Sequence, residues 1–348
     1  MKTLAEYKEE IHSCSKCGIC QSVCPVYKIT GNDCTVSRGQ FIMLKGLIKG
    51  DLKMSPKINR YLDLCLKCGA CSKFCPSGID VVDIIASAKA EYFKTSRLEK
   101  IISSVQKTFI FNFGVNLLGL FARKFKSKKF DKKVIYFGGC SGKMKGNKAV
   151  VKILNSCGVE VITPDFQCCG IPFYVRGDKE SYESYKKSFE EIVQKYDVKE
   201  IVTTCASCEK TLKSYKIEGL MIRNIFEYIR EKELKPVLKK SFKVTFHKPC
   251  NIDNFEDIEW ILKNTENLEY KEMENYDKCC GLNGIAKISE YKVMSEIFRA
   301  KHKDIVNSGA KIVLTSCLGC EAALRLFSFG KYRVMDFAEF LNKYAKPD

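Results

Sequence analysis

The sequence predicts an α+β/α/β chain in which a helical N-terminal domain precedes two duplicated α/β domains. Three observations carry this prediction. Two cysteine runs of one spacing lie before residue 80. Five further cysteines recur in the second half at an offset of 110 to 112 residues. Between them, short β-branched runs alternate with charged helical stretches.

With 348 residues the chain is long enough for several domains, and 20 of those residues are cysteine. A disulfide framework is the habit of short exported chains. The opening "MKTLAEYKEEIHSCSKC" carries charge throughout and no apolar leader core, which predicts a cytoplasmic protein. Metal ligation or thiol chemistry is the expectation for such cysteines. The formal charge of +18 counts every cysteine as a neutral thiol. Thiolates bound to iron would lower it, by about −2 per four-thiolate cluster. The lysines are spread along the chain without a nucleic-acid-binding motif, so no nucleic-acid partner is expected.

The first domain is placed at residues 1–93. "CSKCGICQSVCP" (14–25) and "CLKCGACSKFCP" (65–76) both read C-x2-C-x2-C-x3-C-P, the bacterial ferredoxin spacing for two 4Fe–4S cubanes. In that arrangement three thiolates of a loop hold one cluster and the fourth, before proline, reaches the other. One cubane is therefore assigned to Cys14, Cys17, Cys20 and Cys75, and the second to Cys65, Cys68, Cys71 and Cys24. Zinc suits isolated C-x2-C pairs, but not this register used twice. Phe41, Leu44, Leu47 and Ile48 recur at helical spacing and predict a helix bridging the two runs.

Residues 94–133 form a basic amphipathic linker. Phe109 to Ala122 is largely apolar, is shorter than the roughly 20 residues of a membrane span, and leads into Arg123, Lys124, Lys126, Lys128 and Lys129. Packing against the protein's own domains is the favoured expectation. A peripheral membrane contact through 100–130, at the inner face of the cell membrane, is the alternative.

Residues 134–240 and 241–348 are the two copies. "VIYFGGC" ends at Cys140, Cys168-Cys169-Gly170 follows, and "IVTTCASC" carries Cys205 and Cys208. The second copy answers with "FKVTFHKPC" at Cys250, Cys279-Cys280-Gly281, and "IVLTSCLGC" at Cys317 and Cys320. Strands are expected at Val134–Phe137, Val159–Thr163 and Ile201–Thr204, and a helix at Ser181–Tyr196. Cysteines at the carboxyl ends of strands can converge from separate loops. A cubane takes four thiolates, so five imply another cluster geometry. Each glycine after Cys-Cys is expected to let the backbone approach the inorganic core.

This organisation resembles the D-type component of heterodisulfide reductase, itself similar to the C-type and B-type components joined in one chain. Its relatives include the iron–sulfur subunits of anaerobic glycerol-3-phosphate, glycolate and lactate dehydrogenases. "TVSRGQFIMLKGL", "FHKPC" and "VMDFAEFL" extend the resemblance over nearly the whole chain. It implies two noncubane 4Fe–4S clusters, with zinc left open in one repeat. Cys140, Cys168, Cys169, Cys205 and Cys208 would hold one; Cys250, Cys279, Cys280, Cys317 and Cys320 would hold the other. These ten are the implied catalytic residues of a heterodisulfide reductase-like oxidoreductase acting on a CoM-S-S-CoB-like substrate. Electrons would come from a membrane cytochrome b-type subunit or a flavoprotein, enter at the cubanes and pass to these clusters.

Completeness of both sets favours thiol–disulfide chemistry over the alternative, an electron-transfer subunit of a flavin-dependent dehydrogenase. A sensor or scaffold would not need four centres in a row. Two departures from the family pattern are "LNG" after the second Cys-Cys-Gly and Asp336 where relatives often carry histidine. Cys157, Cys34, His247, His12 and His302 are read as structural or surface residues. No G-x-G-x-x-G fingerprint appears, which puts any flavin or nicotinamide on a partner.

Overall fold

The computed structural model describes residues 1–108, 125–196, 198–282 and 291–346. The chain divides into two compact units. The first comprises Met1–Ser104, Pro172–Tyr182 and Cys279–Ala300; the second comprises Val105–Ile171, Glu183–Lys278 and Lys301–Asp348.

The first unit is helical, with no strand among its described residues. The bridging helix runs Ser37–Lys49, burying Phe41 and Leu44, with Leu47 and Ile48 packed at the margin of the same core. It stops at Gly50, whose φ of 83° suits glycine at a helix C-terminus. The helix Val81–Thr95 starts where the Asp80 carboxylate accepts the Val82 and Asp83 N–H groups. Val81, Ile84, Ile85 and Ala88, at helical spacing, fill the core with Ile11 and Leu62.

Residues Pro172–Tyr182 follow the first Cys-Cys-Gly closely, yet they pack within this first unit. The Lys89 ammonium, buried, lies 2.6 Å from buried Asp63 and donates to the Val175 carbonyl at 3.0 Å. Asn59 donates to the same carboxylate at 2.9 Å. Arg176 pairs with Glu99 at 2.8 Å, and Ser103 donates to Asp178 at 2.5 Å. At Gly177, with φ of 88°, an added Cβ would stand 2.5 Å from the Ala90 nitrogen, so only glycine fits. Lys89→Met should leave Asp63 buried without its cation and destabilise the protein by about 3–5 kcal/mol. A fall in urea midpoint at unchanged slope would show it.

These polar contacts invert the helix Arg97–Val105. Glu99 and Ser103 face inward, while Leu98, Ile101 and Val105 are exposed. Much of the expected linker, Phe109 to Ala122 with Arg123 and Lys124, lies outside the described residues. Its basic end packs on its own unit. Lys129 pairs with Glu160 at 2.7 Å, and Ser127 accepts from the Val161 N–H at 2.9 Å.

The second unit holds two four-stranded parallel sheets. In the first, strands β1 (Lys132–Tyr136), β2 (Val159–Ile162), β3 (Glu200–Thr203) and β4 (Met221–Asn224) run in the order β2-β1-β3-β4. The second repeats this with β5 (Val237–Phe246), β6 (Glu266–Tyr270), β7 (Ile312–Thr315) and β8 (Arg333–Asp336), ordered β6-β5-β7-β8. The expected strands and the charged helix, Lys179–Gln194, are present with shifts of one or two residues. β5 runs across the expected boundary at 240/241: Lys239, Lys240, Ser241 and Lys243 are exposed strand between buried Leu238 and the buried end Val244–Phe246.

One apolar core serves both sheets. Val134, Leu154 and Phe226 of the first copy join Val244, Phe246 and Phe337 of the second. Phe226 and Phe337 stack with centroids 5.1 Å apart. Cys157 closes the helix Lys148–Ser156 as part of this core.

Candidate iron–sulfur centres

In the first unit the two cysteine loops share a backbone solution. Lys16 and Lys67 hold φ of 58° and 54°, and Gly18 and Gly69 hold 86° and 72°. The paired left-handed residues wind each loop tightly around its three thiols. Two cavities result. One is lined by Cys65, Cys68, Cys71 and Cys24. The other is lined by Cys14, Cys17, Cys20 and Cys75, and by Cys71 as well. Each cavity thus gathers the three cysteines of one loop together with the pre-proline cysteine of the other run.

Burial pushes the Cys71 thiol up to about 12, with the charges of Cys65 and Cys24 adding to it. Cys24 and Cys68 are raised mainly by burial as well, Cys68 next by neighbouring Cys279. Three crowded thiols, Cys24, Cys68 and Cys71, that resist ionisation on their own fit a cationic centre that would compensate the lost protons. Cys24 also N-caps the helix Pro25–Thr30, its sulfur accepting from the Tyr27 N–H at 3.5 Å. Cys279 packs with Val26, Leu64 and Ile297, beside Cys24 and Cys68.

In the second unit, β1 and β3 flank the point where strand order reverses, the usual crevice for a site in an open α/β sheet. Cys140 follows β1, Cys168 and Cys169 follow β2, and Cys205 and Cys208 follow β3. Their thiols form one hydrogen-bonded series. Cys168 meets Cys140 and Cys169, and Cys169 meets Cys208, which meets Cys205. Hydrogen bonds from Cys168 and Cys208 draw the Cys169 thiol well below its ordinary range. Tyr215 holds the pair in place through the Cys169 carbonyl at 2.8 Å. Gly170 and Gly281 have φ of 77° and 86°. The left-handed turn therefore favours glycine at both positions in its own right.

The series continues into the second copy. Cys205 hydrogen-bonds Cys317, which also meets Cys320. The Ala206 N–H donates to the Ser316 carbonyl at 2.8 Å. Cys250 follows β5 and Cys317 follows β7, the corresponding reversal point of the second sheet. Cys279 and Cys280 belong to the first unit.

Residues 10–79 match the family described as 4Fe-4S dicluster domain, and residues 134–213 and 244–325 match the cysteine-rich domain. The chain belongs to the iron–sulfur proteins that join a dicluster domain to paired cysteine-rich domains. An uncharacterized iron–sulfur protein of Methanocaldococcus jannaschii is 28% identical, covering 92% of this chain and 68% of its own. The probable glycolate oxidase iron–sulfur subunit of Bacillus subtilis is 23% identical, covering 98% and 96%. The D-type component of the dihydromethanophenazine:CoB–CoM heterodisulfide reductase of Methanosarcina acetivorans is 22% identical, covering 90% and 88%. A hypothetical protein from Helicobacter pylori shares the fold. Its TM-score is 0.52 at 12% identity, covering 97% of this chain and 75% of that one.

This dicluster, paired-domain protein is thereby an iron–sulfur electron-transfer protein of oxidoreductase type. No helix among its described residues is long and apolar enough to cross a membrane. His247 is fully buried at the end of β5, and Cys34 lies in the helical turn Asp33–Thr35.

A buried polar group near the second sheet was not visible in sequence. Asp336 caps the helix Phe337–Tyr344 by accepting from the Glu339 N–H at 3.1 Å. Lys145 pairs with buried Glu321 at 2.5 Å. Burial raises the Asp336 carboxyl from 3.8 to about 6, with Lys145 opposing. The unfolded carboxyl ionises first, so this group costs stability as pH rises from 3.8 to about 6, and the loss persists above. Asp336→Asn keeps the cap. It should raise stability at pH 8 by about 2–3 kcal/mol and change little at pH 4. Denaturant melts at the two pH values measure the difference.

Proposed function

We propose that this protein reduces a thiol heterodisulfide of the CoM-S-S-CoB type: R–S–S–R′ + 2 e⁻ + 2 H⁺ → RSH + R′SH. The observation that carries the reading is the completeness of both five-cysteine sets, supported by the contiguous thiols of the first. The cubane ligands are Cys14, Cys17, Cys20 and Cys75, and Cys65, Cys68, Cys71 and Cys24. Cys140, Cys168, Cys169, Cys205 and Cys208 hold one paired-cysteine centre. Cys250, Cys279, Cys280, Cys317 and Cys320 hold the second.

Iron at these centres supplies electrons one at a time and a Lewis acid for sulfur. The protein's own contribution is positional. The carboxyl ends of β1 and β3 fix Cys140 and Cys205 on either side of the crevice. The left-handed glycine turns Cys168 and Cys169 toward their partners. The electron donor is a separate protein, either a cytochrome b-type membrane subunit or a flavoprotein, and the outward Leu98 and Ile101 support a docking contact with it.

A second reading is favoured by the near-complete alignment with the glycolate oxidase iron–sulfur subunit: relay from a flavin dehydrogenase without disulfide chemistry. Protein purified without oxygen should contain about sixteen iron and sixteen sulfide per chain. It should oxidise reduced viologen when a heterodisulfide is added. Full iron with no turnover, and stable co-purification with a flavoprotein, would establish the relay instead. About eight iron would refute both paired-cysteine centres.

A further inference from the structure

We propose that Ser207 donates a hydrogen bond to the sulfur of Cys317, so that a residue of the first copy tunes the centre of the second and makes the two unequal. The inference rests on the proposed role of Cys317 as an iron ligand. Ser207 Oγ lies 3.2 Å from Cys317 Sγ. The direction of that bond is set by a third residue. Asn251 Nδ2 donates to the same hydroxyl oxygen at 3.1 Å. An amide N–H can only donate, so it occupies an acceptor position of the hydroxyl, whose single proton then turns to the sulfur. The backbones are pinned beside this contact by the Ala206 N–H to Ser316 carbonyl bond of 2.8 Å. Cys317 is buried, so water does not compete for its sulfur.

The duplication makes the contact one-sided. "CASC" in the first copy corresponds to "CLGC" in the second, so the counterpart of Ser207 is Gly319. Glycine carries no hydroxyl, and Cys205 receives no equivalent bond from that position. Hydrogen bonds to cluster sulfurs withdraw charge and favour the reduced, more negative state. The Ser207 hydroxyl therefore raises the potential of the centre ligated by Cys317, a contribution that the first centre does not receive from Gly319. A substrate whose two sulfurs differ would meet two different halves.

The test is a potentiometric titration of the full chain, anaerobically loaded and followed by electron paramagnetic resonance. Ser207→Ala should move one paired-cysteine centre to lower potential and leave the other and both cubanes in place. Ser207→Thr, which retains the hydroxyl, should keep the wild-type potential. An unchanged potential in Ser207→Ala, an equal shift of both paired-cysteine centres, or a shift in Ser207→Thr would overturn the inference. Should Ser207→Ala lose iron, the wild type decides alone. After exchange into heavy water, electron–nuclear double resonance should find a strongly coupled deuteron on one paired-cysteine centre and not on the other. Equal couplings, or none, would overturn it. About eight iron in the wild type would remove the reading beneath the inference. Full iron with unchanged potentials removes the inference alone.

Discussion

Cys169→Ser should abolish the proposed heterodisulfide turnover while leaving the proposed cubanes reducible, with iron falling from about sixteen to about twelve per chain. Cys169 occupies the middle of the first thiol series, bonded to Cys168 on one side and Cys208 on the other. Its sulfur is strongly favoured as a thiolate, and it is buried where no water could replace it as a ligand. Serine preserves the size but not the soft donor that iron prefers. Outer partners of metal ligands already cost 10–100-fold when lost, so direct removal of this sulfur should reduce turnover by at least about 100-fold. The cubanes proposed for the first unit would be held by other cysteines and should still accept electrons from reduced viologen. A variant that kept all its iron and its activity would exclude Cys169 as a ligand. One that lost the cubanes as well would mean that the substitution unfolded the chain.

The grouping of cysteines around the two cavities of the first unit could be read from their spacing, because each short loop curls its three thiols together. The alternation of "VIYF" and "IVTT" with charged helices was likewise enough to place β1 and β3, since buried parallel strands need continuous apolar runs. Polar burial was harder to see. Glu99 and Ser103 give Arg97–Val105 the pattern of an ordinary amphipathic helix, yet its polar side faces inward because Arg176 and Asp178 meet it there. Those partners come from residues 172–182, whose place in the first unit no local pattern signals. Ser207 reads as a spacer between cysteines. Its role emerges only when "CASC" is set against "CLGC" and Asn251 is brought beside it by the fold. The glycine after each Cys-Cys is legible in the sequence, but its positive φ is not, and the backbone adds that as a second reason for glycine.

Cys75→Ala should strip the proposed cluster from the loop 14–20 and spare the one beside its own run. This counterintuitive result follows from the cavities. Cys75 shares its lining with Cys14, Cys17 and Cys20, whereas Cys65 and Cys68 line the other cavity with Cys24. The Ser77 hydroxyl also reaches the Ser13 carbonyl at 3.3 Å, tying the end of the second run to the start of the first. Loss of one of four thiolates leaves an iron without its protein ligand, and iron should fall by about four per chain. Alkylation of the oxygen-free variant followed by mass spectrometry identifies which loop was released. Cys14, Cys17 and Cys20 should be modified while Cys24, Cys65, Cys68 and Cys71 remain protected. Electron delivery should fail with the iron, because the loop 14–20 carries Cys17, the one exposed cysteine among the described residues and the natural point of entry for a donor. Protection of Cys14, Cys17 and Cys20 with release of Cys65 and Cys68 would mean that each run closes its own cluster. The crossed arrangement, and the order of transfer built on it, would then be wrong.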